Sequence, residues 1–134
     1  MTAFFDTNVL VYGFLDIEKR QRALDTLSAG GIISVQVLNE FTNVARNKRG
    51  RPWQDIEAAL SVIRLRFPEI VPITYDTHAS ALALARNHNL SFYDALIVAS
   101  AVEAGCDTLY SEDLQDGRSF AGLAIVNPFP RKAR

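Results

Sequence analysis

The sequence predicts an α/β fold, a parallel sheet of about five strands with helices on both faces. Two observations carry this. Short apolar runs alternate with helical stretches of roughly 10–15 residues along the chain, the pattern of βαβ units. Gly and Pro punctuate the changes of period, at Gly30-Gly31, Pro52, Pro68 and Gly105. No repeat, low-complexity segment or linker interrupts the pattern, so residues 1–134 read as one domain.

Thr2–Phe5 is the first expected strand, followed by helices over Asn8–Leu15 and Ile17–Leu27. The Gly30-Gly31 break precedes a second strand, Ile32–Val35. Gln36–Asn47 reads as a helix because Val37, Leu38, Phe41, Val44 and Ala45 recur at helical spacing. Beyond a basic loop and Pro52, a helix is expected over Trp53–Phe67, ended by Pro68. Ile70–Ile73 is the third strand and Asp76–Asn87 the next helix. Phe92–Ala104 is a further helix, stopped by Gly105 before a strand at Asp107–Tyr110. Leu123–Val126 is the last strand, and Pro128 leads into a short basic tail, 130–134.

Composition narrows the function classes. With 49% hydrophobic and 22% charged residues, the chain has the balance of an ordinary globular protein. No apolar stretch nears the roughly 20 residues of a membrane span, and no basic start of a secretory signal is present. A cytoplasmic location is expected, consistent with one cysteine, Cys106, which reads as core filler. A net charge of −1 excludes a general basic coat, so any nucleic-acid contact must come from a local patch.

Four acids stand where a carboxylate is hard to explain without a metal: Asp6, Glu40, Asp94 and Asp113. Asp6 and Asp113 follow the first and fourth expected strands, at the carboxyl edge where open α/β sheets place their crevices. Glu40 lies in the early turns of the helix after the second strand and rises from the same edge. Carboxylates sharing a crevice repel, so they need a cation, and oxygen-only ligands favour Mg2+ or Mn2+. The chemistry indicated is metal-dependent attack on phosphodiesters.

Each acid has a plainer explanation. Ser91-Phe92-Tyr93-Asp94 matches a helix capping box, although Asp94 falls on the apolar arc with Ala95, Val98 and Ala101. A carboxylate on that arc costs several kcal/mol unless paired or coordinated. Glu40 suits a solvated helix boundary beside Gln36, Asn43 and Asn47. Asp6, Thr7 or Asn8 could each cap the first helix, which is more caps than one helix start needs. Glu112, Asp113 and Asp116 crowd together, and spacing does not rank them.

Neither His78 nor His88 lies in an acidic cluster, and metal-assisted hydrolysis requires no histidine. Arg46, Lys48, Arg49 and Arg51 form the densest basic stretch, with Trp53 after it. They suit contact with single-stranded RNA or, equally, a solvated helix end. Arg131, Lys132 and Arg134 make a weaker patch in the tail. A haloacid-dehalogenase-type phosphatase would need a second Asp two residues after Asp6, where this chain has Asn8. A non-catalytic module binding RNA or a partner is the other class left open.

Asp6-Thr7-Asn8-Val9-Leu10-Val11-Tyr12, the isolated Glu40, Ser91-Phe92-Tyr93-Asp94-Ala95-Leu96-Ile97-Val98-Ala99 and Leu109-Tyr110-Ser111-Glu112-Asp113-Leu114-Gln115 together resemble the PIN domain. More narrowly they resemble the VapC-type toxins of bacterial toxin–antitoxin pairs, and the likeness runs through Ile125-Val126-Asn127-Pro128-Phe129. The resemblance implies Mg2+- or Mn2+-dependent endoribonuclease activity that inhibits translation or growth, with Asp6, Glu40, Asp94 and Asp113 as catalytic and metal ligands. It further implies that Thr7 and Ser111 are polar positions beside the acids, and that Asp116 is an additional acidic position. A small antitoxin that blocks the crevice and a homodimer are implied as partners. Apolar helices such as Val9–Leu15 and Phe92–Val102 are expected to leave surface for such pairing.

Overall fold

The computed structural model describes residues 2–129. The expected basic tail lies outside the described residues. β1 (Ala3–Phe5) leads into α1 (Thr7–Phe14) and α2 (Arg20–Leu27). β2 (Ile33–Ser34) runs directly into α3 (Val35–Asn43), which continues as a π-helical turn at Val44–Lys48. Then follow α4 (Trp53–Arg66), β3 (Ile70–Val71), α5 (Tyr75–His88) and α6 (Phe92–Glu103). β4 (Thr108–Tyr110), β5 (Ser119–Phe120) and β6 (Leu123–Val126) complete the order.

β1 pairs in parallel with β4, and β4 with β6; Phe5, Tyr110 and Val126 stand side by side at the carboxyl ends. Two further bonds extend this register by one step: the Asp6 amide to Tyr110 O at 3.0 Å and the Ser111 amide to Val126 O at 3.0 Å. Asp6 and Ser111 are thereby fixed on one edge by backbone alone. β2 and β3 form a parallel pair, joined to β1 through a parallel bridge between Phe4 and Ile32. The junction requires Gly31, because a Cβ there would sit 2.5 Å from the Phe5 ring and 2.6 Å from Ala3 O. Since the chain builds outward from β1 towards β3 on one side and β6 on the other, a topological switch point lies between β1 and β4.

The five expected strands are present, with one addition. β5 pairs antiparallel with β6 through a tight turn in which Ala121 and Gly122 both have positive φ, 47° and 84°. Such a turn favours Asn-Gly or Gly-Gly, so Ala121 hides it from sequence reading. The second helix starts at Arg20 rather than Ile17, because Lys19 takes a left-handed φ of 63°.

β1 is buried throughout, as a strand covered on both faces must be. Phe4, Phe5, Leu10, Ile33, Phe41, Ile97 and Leu109 fill the centre of the core. Phe5 meets Phe67 edge-on at 5.7 Å and stacks on Tyr110 at 5.6 Å. Between α5 and α6, Ala81, Ala95 and Ala99 pack around Leu96 in a smaller cluster. Cys106 is buried, and burial pushes its thiol up to about 11.

The expectation that α1 and α6 leave apolar surface is not met. Val9, Leu10 and Val11, and Ala95 through Ala101 on α6, are buried against the fold itself. Parallel sheets carry helices on both faces, and these two are among the helices used as cover. Apart from Tyr93 at the start of α6, the large exposed apolar residues lie elsewhere, including Trp53, Val62 and Leu65 on α4, and Tyr75 and Leu82 on α5.

Candidate active site

At the switch point an open crevice of about 380 Å3 is lined by Asp6, Glu40, Asp94 and Asp113. Each acid arrives from a different element. Asp6 is the residue after β1 and the N-cap of α1. Glu40 stands in α3, immediately beyond β2. Asp94 occupies the first turn of α6, and Asp113 the loop after β4.

Asp6 is only 5% exposed. Its Oδ1 accepts the Thr7 amide at 2.7 Å, and its Oδ2 accepts the Ser111 hydroxyl at 2.7 Å. Burial pushes the Asp6 carboxyl up to about 7, against the lowering pull of those two bonds; the nearby Glu40 and Asp113 charges add to the rise. Burial also raises the Glu40 carboxyl, which the Thr7 hydroxyl partly offsets while Asp94 and Asp113 reinforce it. No cationic side chain bonds Asp6 among the described residues.

The three polar residues at the start of α1 divide the work. Asp6 caps the helix through the Thr7 amide, while the Thr7 hydroxyl donates to Glu40 Oε2 at 2.8 Å. Asn8 Nδ2 donates to Asp113 Oδ2 at 3.2 Å, and Asn8 Oδ1 accepts the Glu112 amide at 3.1 Å. Ser111 is fully buried, and its hydroxyl oxygen accepts the amides of Asp113 and Leu114, each at 3.2 Å. One serine thus orients Asp6 and shapes the loop that carries Asp113. In the sequence Asn8 stands as a candidate cap and as the residue that sets aside a dehalogenase-type phosphatase, with nothing to mark it as the tether of Asp113.

The crowded acids after β4 separate cleanly. Asp113 lines the crevice. Glu112 instead accepts Tyr12 Oη at 2.6 Å and Lys19 Nζ at 2.7 Å. Although burial acts to raise it, the Lys19 ammonium and the Tyr12 hydroxyl hold the Glu112 carboxyl below its ordinary value. Asp116 accepts the Asn127 amide at 2.8 Å. On α6, Ser91 caps the Asp94 amide at 3.3 Å, but no return bond from the Asp94 carboxylate completes a capping box among the described residues.

The basic stretch also divides. Arg46 lies 4.7 Å over the Trp53 ring and donates to Arg51 O, while Arg51 donates to Leu15 O at 2.7 Å. Both are occupied in holding the fold. Arg49 pairs with Asp16 through two bonds of 2.9 Å and still borders the crevice. Lys48 borders it with no ion-pair partner among the described residues. The π turn brings both there, and π turns of this kind frequently mark functional sites. His78 packs on Phe92 at 5.2 Å and His88 on Phe120 at 5.0 Å, so neither lines the crevice.

Asp6, Glu40, Asp94 and Asp113 could hold a hard divalent cation, because all offer oxygen and Asp6 is buried with no counter-charge bonded to it among the described residues. As they stand, no three His, Cys, Asp or Glu side chains among the described residues close into a cage. The site is therefore an open wall of donors rather than a finished cage. No helix among the described residues is long and apolar enough to cross a membrane.

A family model described as the PIN domain matches residues 3–118. No curated protein sequence matches the chain. Among solved structures, a toxin–antitoxin complex from Klebsiella pneumoniae is similar at 24% identity and a TM-score of 0.73, covering 96% of this chain and 98% of that one. VapBC2 from Rickettsia felis, bound to a DNA fragment from its promoter, is similar at 20% identity and 0.67, covering 93% and 97%. The sarcin-ricin loop cleaving toxin VapC20 of Mycobacterium tuberculosis is similar at 19% and 0.67, covering 84% and 90%.

Proposed function

The chain belongs to the PIN-domain family, and from that premise we propose that it is a Mg2+- or Mn2+-dependent endoribonuclease, the toxin of a toxin–antitoxin pair that inhibits translation or growth. The observation that carries the reading is the buried Asp6 carboxyl, ringed by Glu40, Asp94 and Asp113 and bonded to no cationic side chain among the described residues. A buried anion without a counter-charge is costly, and a divalent ion held by these four acids supplies the missing charge. When bound, such an ion neutralises charge on a phosphodiester and lowers the pKa of an attacking water.

The protein's own groups orient and hold. Ser111 and the Thr7 amide keep both Asp6 oxygens fixed, and the Thr7 hydroxyl does the same for Glu40. Asn8 tethers Asp113. Lys48 and Arg49 at the rim attract the anionic strand, an electrostatic contribution that salt should weaken. Arg46 and Arg51 serve RNA only indirectly, by holding the π turn that carries those two residues.

The similar structures named as toxins and antitoxin complexes support a small antitoxin as partner and RNA as substrate. We propose a homodimer as well, with its apolar contact on the exposed α4 and α5 residues rather than on α1 or α6. A cytoplasmic location belongs to the same reading. The open stance of the acids favours one rival, a non-catalytic module that binds RNA or a partner. Incubating the purified protein with single-stranded RNA in Mg2+, Mn2+ or EDTA, beside an Asp6→Ala variant, separates the two. Metal-dependent cleavage that vanishes in the variant supports the nuclease; binding without cleavage supports the module.

A further inference from the structure

A second groove, of about 500 Å3, adjoins the acid crevice and shares Glu40, Val44 and Lys48 with it. Its distinctive lining is Gln36, Asn39 and Asn43 of α3 together with Tyr93 of α6. Steps of three and four residues set the amides in line on one helix face. Solvated helix faces are ordinarily filled with Glu, Lys or Arg, whereas Asn is a poor helix former. A row of amides therefore asks for a purpose other than solubility.

The chemistry of the row suggests its ligand. An amide side chain offers a donor and an acceptor together, the combination that matches nucleobase edges. The Asn39 carbonyl oxygen and the Asn43 amino group have no side-chain hydrogen bond among the described residues, since Asn39 uses its amino group towards Gln36 and Asn43 accepts from Asn47. Tyr93 is 60% exposed and braced edge-on by Phe92 at 5.8 Å. A braced, exposed aromatic ring beside the free Asn39 carbonyl oxygen and Asn43 amino group gives an unstacked base both a stacking face and hydrogen bonds. Lys48, at the junction of groove and crevice, suits the phosphate that links them.

We propose that this groove is a nucleobase subsite. It receives one unpaired base of single-stranded RNA next to the phosphodiester at the acids, stacked on Tyr93 and read at its edge by Asn39 and Asn43. The proposal rests on the ribonuclease reading and names what would give that activity its sequence preference. Base-paired RNA is excluded from it, because the base must leave its stack to reach the ring.

The test uses binding, so that it survives failure of the nuclease reading. In an Asp6→Asn background, fluorescence anisotropy compares a single-stranded RNA of randomised sequence with an abasic strand of equal length. Tyr93→Ala and the paired Asn39→Ala/Asn43→Ala change should each weaken binding of the base-bearing strand about tenfold, while affinity for the abasic strand stays within about twofold. Equal losses on both strands, or no loss on either, overturn the subsite; the latter is the result for a groove that receives a protein segment. With Asp6 restored, sequencing of cut sites should show a base preference beside the cleavage point that the paired asparagine change flattens. An unchanged preference also overturns the subsite. If the parent cleaves no RNA at all, the nuclease reading falls while the anisotropy comparison still decides the groove.

Discussion

The two walls of the crevice are built differently. On the sheet side, Asp6 is buried and Ser111 fully so, and backbone and side-chain bonds fix both. On the helix side, Asp94 is half-buried, and its carboxylate has no hydrogen bond among the described residues. Glu40 lies between these extremes, half-buried and held by Thr7. The sheet wall stores an electrostatic cost in a rigid frame, and the helix wall supplies donors that can adjust. The cation proposed for this crevice would meet one preorganised anchor and one adaptable side.

The largest expected effect comes from removing the anchor's charge. Asp6→Asn should lower metal-dependent RNA cleavage by at least about a hundredfold, since metal-site changes of even supporting groups cost about 10–100-fold. The same change should stabilise the metal-free protein at pH 8. The sign follows from the raised carboxyl: folded Asp6 holds its proton to about pH 7, whereas the unfolded group loses it near 3.8. The folded state then binds more protons between those values, and its stability declines as pH rises through that window. Asparagine removes the decline, by up to about 4 kcal/mol as an upper bound. Thermal melts of parent and variant, in EDTA, should diverge more at pH 8 than at pH 5, because pH 5 lies only part of the way from 3.8 to about 7.

Ser111→Ala breaks the frame rather than the charge. It strips a donor from Asp6 and leaves the Asp113 and Leu114 amides without their acceptor. A loss of about 1–3 kcal/mol in stability is expected from urea unfolding, with cleavage reduced about 10–100-fold. Asp94→Asn should do the reverse on the helix wall. Cleavage should be lost, while stability moves by no more than about 0.5 kcal/mol, because the Ser91 cap bonds the backbone and not the carboxylate. A large stability loss in Asp94→Asn would return that residue to a capping role.

The contrast between the walls also explains what could be read from the chain. The parallel fold and the edge position of Asp6 and Asp113 were legible because strand–helix alternation and strand-end position are local properties of sequence, whereas Glu40 and Asp94, on helices, were gathered with them through the family resemblance. Asp113 could not be separated from Glu112 and Asp116, because their partners Lys19, Tyr12 and Asn127 are distant in the chain. Asn8 was hidden for the same reason, since its bond to Asp113 spans 105 positions. The β5–β6 hairpin was missed because Ala121 adopts a conformation usually left to glycine or asparagine. The basic stretch read as one patch, although only Lys48 and Arg49 face the crevice; the π turn that sorts them has no simple sequence signature.

The central claim is that the buried Asp6 anchors a divalent cation. Calorimetric titration of Mn2+ into the purified parent protein and into Asp6→Asn, at pH 8, addresses it directly. The account predicts saturable binding to the parent, released by EDTA, and at least about a hundredfold weaker binding to the variant. Equal affinity in both proteins, or no binding to the parent at millimolar Mn2+, would contradict it.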